Sequence, residues 1–131
     1  MLRENVVGAI AVGSYIRLLA DIQRISLTDV TASADVQLQY LGRLEKGQIR
    51  VPNAAALRKM TEKVNGSWED VGRLLVSDGA NSKDGRQAAL EWAVGRQLIT
   101  DAQREVFLHA TDDMLQIAAA RLRAKKDPRK N

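Results

Sequence analysis

Apolar residues recur at helical spacing from about Val6 to Ile22, with Ile10, Ile16, Leu19 and Ile22 on one side, predicting a first helix that ends near Arg24. Ser26 precedes Leu27-Thr28-Asp29, a capping-box pattern that opens a short second helix with Val30 and Ala34, four apart, as its buried face. Asp35 tolerates the left-handed conformation that closes a helix in a tight turn. The next stretch, DVQLQYLGRLEKG, supports two periods. Val36, Leu38 and Tyr40 alternate with Gln37 and Gln39 as in a half-buried strand, whereas Leu41, Leu44 and the charged residues around them fit one face of a helix. The helical reading runs from about Gln37 to Lys46 and stops at Gly47, but it leaves Leu38 facing water.

Residues 48–52, QIRVP, form a loop closed by Pro52, and Asn53 caps a fourth helix carrying Leu57, Met60 and Val64. Asn65-Gly66 ends it, and Ser67-Trp68-Glu69-Asp70 opens a fifth with a second capping box. SDGANSKDG, residues 77–85, is rich in turn formers and is expected to be a linker. Ala88 to Leu98 is again helical. Thr100 with Gln103 caps a helix through Val106 and Phe107, and Thr111 with Asp112 and Asp113 caps a last one holding Met114, Ile117 and Leu122. KKDPRKN, residues 125–131, is a basic tail.

Composition supports an all-α chain. Hydrophobic residues are 45% of the 131, but aromatics are only 4% and prolines two, which suits an aliphatic helical core better than a sandwich or barrel. With no cysteine there is no disulfide framework and no thiolate metal site, as suits a reducing cytoplasm. No apolar run is long enough to span a membrane, and Glu4 makes MLRENVVGAIAVGS a poor signal peptide. The net charge of +4 is unevenly placed: residues 37–63 hold six basic and two acidic side chains. That segment contains the stretch with two periods, which favours a polyanionic partner over a merely solvated face.

LTDVTASADVQLQYLGRLEKGQIRVPNAAALRKMTEKVNGSWEDV resembles the helix-turn-helix family of phage repressors and Cro proteins, also called the XRE family. The match is ungapped from Ile25 to Val71, and with GSYIRLL as the first helix it covers more than half the chain. The resemblance implies a five-helix, lambda-repressor-like DNA-binding domain over residues 1–76, followed by a short α-helical region over 86–124. In this family the outer face of the third helix enters the major groove, which accounts for Leu38 and its neighbours. Gln37, Leu38, Gln39 and Arg43 are then the expected base contacts. Gln39 suits adenine, Arg43 guanine and Leu38 a thymine methyl, the alternative for Leu38 and Tyr40 being packing on neighbouring helices. Phosphate contacts are expected from Arg50, from Lys46 and from the amide at the start of the second helix near Leu27.

Several positions depart from the family pattern. Leu27 and Leu38 replace polar residues that many relatives use on DNA, Asp35 stands for the usual turn glycine, and Gln37 caps less well than Ser or Thr. Ala20 occupies the place of an arginine that pairs with the acid ending the third helix, so Glu45 either pairs with another base such as Arg17 or faces solvent.

Enzyme readings lack their parts. His109 is the sole histidine, there is no glycine-rich phosphate loop, and no metal or other cofactor is expected. Residues 80–131 are too short and too helical for a self-cleaving serine–lysine domain, and Asp112-Asp113 suits a helix N-terminus. The expected protein is a cytoplasmic, sequence-specific DNA-binding repressor acting as a homodimer on double-stranded DNA. Its C-terminal helices supply the dimer contact, bind another protein or pack on the first domain, which is expected to fold without them. An antitoxin of a toxin–antitoxin pair, or a coactivator bridge that scarcely touches DNA, are the alternatives.

Overall fold

In the computed structural model, which describes residues 3–49, 52–76 and 82–109, the chain is all-helical among those residues. Seven helices follow in order: α1 (Arg3–Gln23), α2 (Leu27–Ser33), α3 (Gln39–Glu45), α4 (Ala54–Lys63), α5 (Trp68–Val76), α6 (Ser82–Gly95) and α7 (Asp101–His109). None is long and apolar enough to cross a membrane. The last helix expected from Thr111, with Asp112 and Asp113, and the basic tail lie outside the described residues.

Helix α1 is the axis of the fold, packing against α2, α3, α5 and α6. Ala11, Val12, Tyr15, Ile16, Leu18, Leu19, Ala20 and Ile22 are all buried, leaving Ser14, Arg17 and Asp21 as a half-exposed stripe. A helix apolar on nearly every side belongs in the middle of a protein. Two close approaches show how it is enclosed. A Cβ on Gly13 would come 3.0 Å from the Glu45 backbone nitrogen, and one on Gly85 would come 1.9 Å from the Ala11 carbonyl oxygen. Residues 11 and 13 are about 200° apart around a helix, so α3 and α6 sit on opposite sides of α1.

Helix α6 corrects two expectations. It starts at Ser82, so Ser82–Gly85 are helical rather than linker. Its buried Ala89, Leu90 and Ala93 belong to the same core as α1–α5. Helix α6 therefore packs on the first domain, one of the alternatives open to it, and that domain is not expected to fold without it, because one side of α1 would face water.

Helix starts follow their local signals. The Asp29 amide donates to Ser26 Oγ at 3.0 Å, the Ala56 amide to Asn53 Oδ1 at 3.0 Å and the Asp70 amide to Ser67 Oγ at 3.2 Å. Thr100 and Gln103 form a full reciprocal box, at 3.1 and 2.9 Å. Helix α3 is the exception. It is shorter than the expected Gln37–Lys46, and Leu38 precedes it with no side-chain cap. The Gln37 carbonyl instead closes a turn by accepting the Tyr40 amide at 2.9 Å.

The ends of α1, α2, α3, α4 and α6 share one device. A left-handed residue follows each helix (Arg24, Asp35, Gly47, Asn65 and Gln97), and the next amide reaches back five residues, as in Val36 to Thr31 at 3.1 Å. These are Schellman closures, which satisfy the last carbonyls and turn the chain sharply.

Two changes test the role of α6. Gly85→Ala should cost about 1–3 kcal/mol, because backbone rather than a flexible side chain must move. The measurement is a lower urea midpoint at unchanged slope. Truncation after Asp78 should do more. Leu90 alone contributes about 2 kcal/mol of burial, and a domain has only about 5–15 in total. A circular-dichroism melt should show the truncated chain unfolded or strongly destabilised.

Candidate functional site

Helix α3 and the two residues before it carry the side chains expected to meet bases. Leu41 and Leu44 are fully buried and anchor the helix, while Gln37, Leu38, Gln39 and Arg43 are all exposed. Gln39 and Arg43 are one turn apart and share a face. Leu38 starts the adjacent lane and is 51% exposed, so it does not pack on a neighbouring helix. Tyr40 does: it is half-buried, and its hydroxyl accepts the Asn53 amide at 3.1 Å. One turn beyond Leu38 lies Gly42, where an added Cβ would meet nothing within 4 Å. The exposed lane thus runs from an aliphatic side chain onto bare backbone.

This helix is held from behind. Arg17 Nε lies 2.9 Å from Glu45 Oε1, which resolves the partner of Glu45, and Gly13 lets α1 approach the same residue. Ala20 is fully buried in the core. An ion pair at one end and two buried leucines along its length fix α3 while its outer face stays free of intramolecular packing.

The other expected contacts are more scattered. Leu27 opens α2 but its side chain is half-buried against the core, so only its backbone end is presented. Lys46 is exposed at the carboxyl end of α3, about 10 Å along the axis from Gln39. Arg50 lies outside the described residues. Helix α4 adds exposed cations in Arg58, Lys59 and Lys63, with the Arg58 guanidinium 5.6 Å from the Trp68 ring centre and its Nε 3.5 Å from Glu62.

A second polar cluster escaped the sequence reading. The Tyr15 hydroxyl donates to Asp70 Oδ2 at 3.2 Å and accepts the Ser67 amide at 2.8 Å, while Arg73 pairs with the other oxygen of Asp70. Gln23 Nε2 donates to the Val64 carbonyl at 2.6 Å, and its Oε1 accepts from Asn65 Nδ2 at 2.9 Å. The Trp92 indole donates to the Asn65 carbonyl at 2.8 Å. Side chains from α1 and α6 therefore converge on the turn between α4 and α5. Partners 27 to 55 residues apart leave no periodic trace, so no sequence signal could have revealed them. Beside this turn, Glu69, Arg73, Glu91 and Trp92 line an open cleft of about 310 Å³ between α5 and α6. His109 is exposed, its Nε2 3.6 Å from Glu105 Oε1.

No family model, curated protein or solved structure matches the chain.

Burial raises the Tyr15 pKa above its usual 10.0, outweighing the Ser67 amide and the Arg73 charge, which lower it. A phenol with a raised folded-state pKa stabilises fully below pH 10.0, and that contribution is lost as pH climbs through the folded value. Tyr15→Phe should cost about 1–3 kcal/mol at neutral pH, by orphaning the Ser67 amide and one Asp70 oxygen. It should also flatten the fall in stability above pH 10.0, read by urea titrations at several pH values.

Proposed function

We propose that the protein is a sequence-specific DNA-binding transcriptional regulator, a repressor that binds a two-fold symmetric operator as a homodimer. In this reading α1–α5 are a lambda-repressor-like unit, α2 and α3 its helix-turn-helix, and α3 the helix that enters the major groove. One observation carries it: α3 is anchored from behind, yet Gln37 and Leu38 before it, Gln39 at its start and Arg43 in its last turn are all exposed. Such a face would suit base reading, because carboxamides and guanidinium match the donor and acceptor edges of adenine and guanine. The excess of six basic over two acidic side chains in residues 37–63 supplies the attraction to phosphate. Lys46 and the backbone at Leu27 are the proposed phosphate contacts among the described residues, and Arg50 is added from its place in the sequence.

Gly42 supports the same reading from another direction. A glycine inside a helix costs about 0.5–1 kcal/mol relative to alanine, and nothing in the fold needs the space. A glycine on the exposed lane of α3, despite its cost to the helix, would let the helix lie close to a groove wall. Helix α6 is committed to α1, so the second copy is assigned to α7, where Val106 is 64% exposed, and to the chain that follows. No catalytic step belongs to this reading.

Selection of bound sequences from a random DNA library tests it. The expected result is a symmetric site whose half-sites lie one helical turn, about 34 Å, apart. No enriched sequence would sink the proposal. Arg43→Ala should erase preference at one position per half-site, at a loss of about 1–3 kcal/mol in specific binding, with the fold unchanged. Gly42→Ala separates function from stability. It should raise the urea midpoint, by up to about 1 kcal/mol in stability, and yet weaken binding to the selected site.

A further inference from the structure

Leu38 carries no hydrogen-bonding group, yet it stands exposed between two carboxamides, Gln37 and Gln39. At 51% exposure it contributes little to the core, and one turn on, Gly42 leaves the helix surface bare. The segment around it is cationic, with six basic and two acidic side chains over residues 37–63. An apolar partner protein would have to bury Gln37, Gln39 and Arg43 along with the leucine. A DNA groove would complement them, and the apolar group that its major groove offers is the C5-methyl of thymine.

That chemistry has a consequence beyond sequence preference. An aliphatic side chain senses the methyl but not the group at C4, where thymine has an oxygen and cytosine an amine. To such a reader 5-methylcytosine looks like thymine, and unmodified cytosine or uracil looks empty. We propose that Leu38 reads the 5-methyl group of a pyrimidine, so that binding responds to cytosine methylation of the DNA. The inference rests on α3 being the groove-entering helix. Gly42 serves it by letting the helix sit deep enough for Leu38 to reach the base.

The test uses the full chain and the site recovered by selection. Each thymine in turn is replaced by uracil, which removes the methyl and nothing else, and each cytosine by 5-methylcytosine. One position per half-site should lose about fourfold in affinity with uracil, the effect of one buried methyl. At that base pair a 5-methylcytosine–guanine pair should bind more tightly than an unmodified cytosine–guanine pair. Leu38→Ala should bind thymine and uracil equally there, while keeping the preference assigned to Arg43; because the side chain is exposed, its circular-dichroism spectrum should match the parent protein. Specific binding with no methyl response, or a methyl response that survives Leu38→Ala, overturns this inference and leaves the DNA reading standing. Failure to bind any sequence specifically overturns both.

Discussion

The fold depends on the burial of α1 from opposite sides. At Ala11 and Gly13, opposite sides of one helical turn are met by α6 and α3 at distances that leave no room for a β-carbon on Gly85 or Gly13. Dispersion and hydrophobic burial fall steeply with separation, so these two glycines let the surrounding side chains reach contact. Each helix around α1 is short, and α2 and α3 have only seven residues apiece. Helices of that length are not stable alone, and their order comes from the surface they share with α1.

The same arrangement explains why the outer face of α3 is available. Its inner face is occupied by Leu41 and Leu44, its end by the Arg17–Glu45 pair, and Tyr40 reaches across to the start of α4. With those anchors in place the remaining positions are free to be chosen for something other than packing. Gln37, Leu38, Gln39 and Gly42 occupy those positions. Leu38 is 51% exposed and a β-carbon at Gly42 would meet nothing within 4 Å, so neither position is set by packing within the domain.

Helix α6 bears on stability through polar contacts as well as apolar ones. Trp92 from α6 and Gln23 from α1 bind backbone carbonyls at the end of α4, and Tyr15 binds the first residues of α5. These bonds satisfy polar groups that a helix end would otherwise leave to water. They also tie the turn between α4 and α5 to both α1 and α6.

The sequence by itself determined most helix starts and the orientation of the candidate site. Ser26, Asn53, Ser67 and the Thr100–Gln103 pair cap where their patterns say, because a cap is a local bond over three residues. Asp35, Gly47 and Asn65 were legible as helix ends for the same reason, and the leucine spacing sufficed to turn Gln37, Gln39 and Arg43 outward. Only the tertiary structure decided the rest. Arg24 and Gln97 are also left-handed, though neither residue type favours it, since the turn is imposed by the elements it joins. Ser82–Gly85 read as linker, yet the glycine that weakens an isolated helix is what admits α6 to α1. The Tyr15–Asp70 bond spans 55 residues. Local rules reach only as far as a turn or two of chain, and contacts between distant segments exist only once the whole core has closed.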